Sequence, residues 1–153
     1  MKTLQFLLQT NNSAGPLLAR LGLGLVMFPH GAQKALGWFG GHGFDGTMGY
    51  FTGTLHIPVV FAFLAIAAEF AGSLGLITGF LSRIAAFGIA ATMSVAIFMG
   101  HAANGFFMNW YGNQKGEGFE YHLLAIALAL VVMIQGAGKA SVDGLLAPKG
   151  ASR

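Results

Sequence analysis

Polar positions in this sequence are rare, and they are spaced so that long apolar runs lie between them. Four of these runs predict helices, over about residues 17–38, 57–80, 83–103 and 120–136. Each approaches the roughly 20 residues that cross a bilayer core. Pro29 lies inside the first and is expected to free the Leu25 carbonyl and kink that helix just before His30. Pro58 falls in the first turn of the second, where proline is tolerated. The short connection Leu81-Ser82-Arg83 makes the second and third helices antiparallel neighbours, and Gly136-Ala137-Gly138 stops the fourth. The pattern predicts an all-α fold: a four-transmembrane-helix bundle of two antiparallel hairpins, with tails at residues 1–16 and 139–153. In the first tail, Leu4 to Leu8 is too short for a signal-peptide core before Gln9-Thr10-Asn11-Asn12, and predicts a short surface helix in a retained tail.

Composition turns the helix pattern into a membrane reading. Hydrophobic residues make up 55% and charged ones 8%, whereas soluble domains carry about 25% charge. The formal net charge of +3 reflects few acids, and no basic run interleaves with aromatics, which argues against a nucleic-acid partner. There is no cysteine, so disulfides, thiolate metal sites and thiol redox chemistry are excluded, and a redox role needs a bound cofactor or a partner protein. Lys2, Arg20, Arg83, Lys139, Lys149 and Arg153 accompany the tails and the short middle turn, while only Lys34 and Lys115 accompany the two long loops. The positive-inside rule then places both termini in the cytoplasm. The long loops mix glycine with Trp38, Phe39, Phe44, Tyr50, Phe106, Phe107, Trp110 and Tyr111, which suits anchoring at headgroup depth outside. All five histidines consequently fall in or near the outer half.

Ionisable residues inside such a chain are costly and turn toward protein or a wet cavity. Arg20, His30 and Lys34 fall near one stripe of the first helix, giving it a face that is polar from end to end. Glu69 stands alone in the second helix, and Arg20 is expected within about 7 Å of its depth. Two readings stand for them: a pair that locks two helices, or a proton-handling carboxylate at the bottom of an outward cavity. His30, His101 and His122, with Lys34 and Glu120 beside them, are expected to converge near the outer boundary. They suit a metal or the polar head group of a ligand such as a quinone. The missing i, i+4 histidine pair and the nearby Lys34 argue against a metal. The glycines of residues 40–46 lack the context of a phosphate cradle, which argues against a nucleotide. Ala68-x-x-x-Gly72 and Gly75-x-x-x-Gly79 allow close helix approach, inside the chain or in a homodimer. His30 with Trp38-x-Gly40 and His101 with Trp110-x-Gly112 also hint at a repeated hairpin.

Several separated motifs occur together: Pro29-His30-Gly31-x-Gln33-Lys34-x-x-Gly37-Trp38-Phe39-Gly40-Gly41; Glu69 within Ala67-Ala68-Glu69-Phe70-Ala71-Gly72; His101-x-x-Asn104-Gly105-Phe106-Phe107; Gly118-Phe119-Glu120-Tyr121-His122; and Gly136-x-Gly138-x-x-Ser141-x-Asp143. In this order they resemble the DoxX family of small four-helix bacterial membrane proteins, from Leu18 to Leu146. The resemblance implies a multi-pass protein of the bacterial inner membrane in contact with lipid. It also implies quinone-linked redox work, as in the membrane subunit of a thiosulfate:quinone oxidoreductase, and a redox protein partner. The family's polar set falls here on His30, Lys34, Glu69, His101, Glu120 and His122, without catalytic assignments. The function expected is a membrane subunit of a quinone-linked oxidoreductase, with Glu69 and Arg20 handling charge or protons and the other five holding the head group. The alternatives are a small-solute transporter, in which the stripe continues past Arg20, and a structural anchor for a redox enzyme.

Overall fold

The computed structural model describes residues 2–147, and these are helical and irregular, with no strand among them. Seven α-helices succeed one another: α1 (Lys2–Leu8), α2 (Ala14–Leu36), α3 (Gly43–Gly49), α4 (Val59–Thr78), α5 (Ser82–Ala96), α6 (Glu120–Gln135) and α7 (Val142–Leu146). A π-turn (Ile97–His101) and a 3-10 turn (Ala102–Asn104) prolong α5. The four long helices pack in a ring in which α2 touches α4, α4 touches α5, α5 touches α6 and α6 returns to α2, the last contact being the least extensive. Both long loops therefore gather at one end, here the loop end. Leu23, Met27, Leu76, Ile89, Met93 and Val132 fill the centre.

Two helical stretches, Val59–Thr78 with mean hydropathy 2.0 and Ser82–Asn104 with 1.7, are long and apolar enough to cross a membrane. Each of the four long helices also exposes large apolar side chains, such as Leu25 on α2, Phe61 on α4, Phe87 on α5 and Leu124 on α6. The helix α2 continues through Pro29 to Leu36.

Small residues set the helix spacing. At Gly31 a Cβ would stand 2.5 Å from the backbone N and Cα of Phe70, and at Gly24 it would stand 3.0 Å from the Ser73 carbonyl oxygen. Backbone thus meets backbone along the α2–α4 seam. On the opposite side of α4, Gly72 and Gly75 face Ala85 of α5, and Gly88 of α5 faces Ala68. The small-residue face considered for a homodimer is consumed inside the chain, where it lets α4 and α5 approach closely.

The opposite end, here the arginine end, is closed by two buried arginines and one buried aspartate. Arg20 is 1% exposed. Its Nε donates to Ala137 O (2.8 Å), Nη1 to Leu76 O (2.9 Å) and Ile77 O (2.8 Å), and Nη2 to Lys139 O (3.0 Å) and Ala140 O (2.5 Å). All five donors of the guanidinium are used, and they satisfy carbonyls at the end of α4 and just after α6. Arg83 does the same for α6, donating to Met133 O and Ile134 O, and to Gln9 O after α1. Asp143 accepts from Leu81 N (2.7 Å) and Ser82 N (2.9 Å), which are first-turn donors of α5. Residues 139–147, within the segment read as the C-terminal tail, pack against the ends of α4 and α5 through these bonds. The sequence motif gave no sign that Asp143 caps another helix; Lys149 and Arg153 of that expected tail lie outside the described residues.

Replacing Arg20 with Leu is expected to cost at least about 3 kcal/mol, because it strands buried carbonyls, and Arg20→Lys, with three donors for five acceptors, about 1–3 kcal/mol; unfolding in detergent micelles measures both. Gly31→Ala is expected to cost roughly 1–3 kcal/mol through overpacking, whereas Gly22→Ala, whose Cβ meets nothing within 4 Å, is expected to be neutral or stabilising.

Candidate functional site

The contact at Gly31 puts α2 and α4 in register so that Lys34, one turn nearer the loop end, reaches over Glu69. Lys34 Nζ donates to Glu69 Oε2 at 2.6 Å, the one ion pair among the described residues. The Glu69 side chain is 4% exposed and that of Lys34 27%, so the lysine lies between the carboxylate and the surroundings. This corrects two expectations. Glu69 pairs with Lys34, and Arg20 bonds to Leu76 and Ile77, about two turns further along α4. The cavity expected to lead down to Glu69 is closed by the lysine. The physical reason is stagger: Gly31 lies level with Glu69 and Phe70, so α4 extends further toward the loop end than α2 does. There α4 is covered by α3, with Phe44 edge-on to Phe63 at 6.3 Å. Depths counted from a common plane misplace the two helices.

The expected stripe along α2 also divides in two. Leu23 and Met27 are buried between Arg20 and Gly31. Arg20 belongs to the arginine end and Lys34 to the loop end, with apolar packing between them.

At the loop end the rings of α2, α6 and the α5 extension form a continuous series. His30, exposed on α2, lies 6.2 Å from Tyr121; Tyr121 lies edge-on to His122 at 5.5 Å; and His122 lies 4.1 Å from His101. The Tyr121 hydroxyl donates to Met27 Sδ at 3.2 Å. His122 is buried and its Nδ1 has no hydrogen-bond partner, which is costly for a polar atom unless something else engages it. His101 Nδ1 lies 2.9 Å from the carbonyl oxygen of Glu117. A carbonyl only accepts, so Nδ1 carries the proton and a neutral His101 keeps its Nε2 lone pair free. Asn104 donates to the same carbonyl at 3.0 Å and to Gly100 O at 3.3 Å, holding it in place.

Glu120, expected beside the histidines, instead organises the loop: its Oε1 accepts from Met108 N (2.9 Å) and Trp110 Nε1 (3.3 Å). His42 and His56 are exposed in the first loop, outside the ring series. Tyr121 is the member that the sequence pattern does not single out. Adjacent helical residues point about 100° apart, and nothing in Glu120-Tyr121-His122 indicates which of them faces α2.

No group of three or more His, Asp and Glu side chains among the described residues is placed to hold a metal. The donor set suits a neutral polar head group better than a cation: a buried imidazole nitrogen without a partner, a second imidazole with a free lone pair, and a lysine ammonium nearby. It can accept or give protons and hydrogen bonds at a carbonyl or hydroxyl.

Comparison with known proteins bears on family alone. No curated protein and no solved structure matches this chain. The DoxX family model matches residues 15–102, which include Pro29 to Gly41, Glu69 and His101. That match spans more than half of the sequence, and the chain belongs to the DoxX family of membrane proteins.

Proposed function

We propose that this chain is a multi-pass protein of the bacterial inner membrane, with α2, α4, α5 and α6 as four spans, and that it serves as a membrane subunit of a quinone-linked oxidoreductase. The apolar faces of all four helices support the spans, although α6 alone, at 16 residues, is about 24 Å long and needs its flanking residues to cross a core of about 30 Å. The basic residues of the arginine end favour a cytoplasmic position for it and for both termini.

The observation that carries the redox reading is the series from exposed His30 through Tyr121 to buried His122 and His101, with the partnerless His122 Nδ1 at its inner part. A quinone supplies two-electron, two-proton redox chemistry when bound. His122 and His101 hold the head group with their uncommitted nitrogens and hold or release protons there. His30 lies at the α2–α6 seam, within reach of a molecule dissolved in the bilayer. Lys34 places a positive charge beside the site, and buried Glu69 holds that charge in position. Arg20 has no donor left for a ligand, so in this reading it is structural rather than catalytic. Glu120 shapes the loop above the histidines. Trp110, 78% exposed, and Tyr111, 90% exposed, offer a surface for the redox partner that exchanges electrons with the bound quinone.

A permeation path is less well supported, since Leu23, Met27 and Leu76 interrupt the polar stripe before Arg20. Titration of the purified protein with a quinone analogue is expected to show saturable binding that His122→Leu weakens by about tenfold or more. Glu69→Gln, checked for folding by its melting curve, is expected to weaken it as well. Absence of binding, or binding indifferent to both changes, would remove the reading. Solute flux in proteoliposomes would favour the permeation path instead.

A further inference from the structure

The two inner imidazoles of the ring series are in contact, yet neither satisfies the other. Their ring centroids are 4.1 Å apart and the rings are tilted by 45°. An in-plane N–H···N bond between two imidazoles keeps the centroids about 5 Å apart, so this contact is packing and not hydrogen bonding. Each ring therefore looks elsewhere for its partners. His101 Nδ1 has one in the Glu117 carbonyl at 2.9 Å. His122 Nδ1 has none, in a residue 6% exposed.

The two rings differ in what they offer a ligand. The Glu117 carbonyl fixes the Nδ1–H tautomer of neutral His101, so its Nε2 can only accept. Asn104, which donates to the same carbonyl at 3.0 Å and to Gly100 O at 3.3 Å, holds that arrangement in place. The neighbouring hydroxyl, that of Tyr121, gives its proton to Met27 Sδ. No bond at Nδ1 chooses the tautomer of His122, so His122 adapts to what it meets. A ligand group that suits both rings must donate to His101. A hydroxyl does so: its proton goes to His101 Nε2 while its oxygen accepts from His122 Nδ1–H. A quinone carbonyl carries lone pairs alone, so it serves His122 but sets its oxygen against the lone pair of His101. The proton that separates these two cases is the one that separates a hydroquinone from a quinone.

We propose that the His101–His122 pair selects the reduced, hydroxyl-bearing form of its ligand, a hydroquinone, over the quinone, with His101 Nε2 as the acceptor that distinguishes them. The inference rests on the quinone reading of this site and adds which redox form the site prefers. His101 is then the specificity-determining residue, and Asn104 is a positioning residue that acts through the Glu117 carbonyl. Tenfold tighter binding of the reduced form raises the midpoint potential of the bound couple by about 30 mV, so the site takes up hydroquinone and releases quinone.

The test is anaerobic calorimetric titration of the full chain in detergent micelles with three ligands that share one ring: durohydroquinone, duroquinone, and the dimethyl ether of durohydroquinone, which keeps both oxygens and lacks the hydroxyl protons. The hydroquinone is expected to bind about tenfold tighter than the quinone, as one buried hydrogen bond gained implies, and the ether no tighter than the quinone. His101→Phe keeps a ring in place and removes the acceptor; it is expected to abolish the preference while duroquinone still binds. If that variant fails to fold, nitrogen NMR of histidine-labelled wild-type protein decides, since one imidazole resonance of the unprotonated type is expected to shift with durohydroquinone and not with its ether. Equal affinity for the two redox forms, tighter binding of the quinone, a preference shared by the ether, or a preference that survives in His101→Phe would overturn this inference and leave the quinone reading standing. Absence of binding by all three ligands would remove both.

Discussion

A helix that ends away from water leaves its last carbonyls without donors, and in an apolar chain there are few side chains to supply them. Arg20 and Arg83 meet that requirement here. Arg20 serves the ends of α4 and the chain after α6, and Arg83 serves α6 and the chain after α1. Asp143 answers the opposite need, giving its oxygens to the first donors of α5. Three charged residues from three distant parts of the sequence therefore tie α1, α2, α4, α5, α6 and α7 into one end of the molecule. Arg20, at 1% exposure, is tolerated there because all of its hydrogen bonds are made.

Fixing one end leaves the other free to specialise. The Lys34–Glu69 pair and the ring series lie at the loop end, and apolar packing from Leu23 to Met27 separates them from the arginines. The two ends are joined mechanically by the α2–α4 seam. Arg20 holds the lower part of α4, Gly24 fits against Ser73 and Leu76, and Gly31 rests on Phe70. Because no side chain intervenes at Gly31, the distance between α2 and α4 is set by backbone contact, and Lys34 comes over Glu69 with little freedom. The buried acid is thus positioned by a glycine rather than by its own neighbours.

The all-helical character and the polar residues that matter were legible in the sequence, since isolated charges in apolar runs carry a large energetic cost and must have partners. Which partner each one finds was not. Pairing Arg20 with Glu69 came from measuring depth along helices assumed to end in one plane. The stagger of α4 past α2, created where two backbones touch at Gly31, moves Glu69 up to Lys34 and leaves Arg20 among carbonyls. Periodicity also misled along α2, because Leu23 and Met27 share the face that Arg20 and Lys34 occupy. The role of Asp143 was hidden for a different reason: it acts on Leu81 and Ser82, some sixty residues earlier, and long-range capping leaves no local pattern. Tyr121 was obscured by its polar neighbours on both sides.

His101 shows how the loop and the candidate site depend on each other. The π-turn at Ile97–His101 adds a residue to the helical turn and re-aims the side chains at its end, bringing the His101 ring against His122. Its tautomer is then set from the loop, since the Glu117 carbonyl takes the Nδ1 proton and Asn104 holds that carbonyl. Glu117 can supply it because the loop closes on itself: Phe119 N and Glu120 N donate to Gly105 O and Phe106 O, and Gly118 lies so near these carbonyls that any side chain there would collide. Glu120 fastens the middle of the same loop through Met108 and Trp110. A segment without regular structure, rich in glycine and exposed aromatics, therefore determines which nitrogen of a helix-borne imidazole is the base. Any shift of this loop reaches that nitrogen through the single Glu117 carbonyl group.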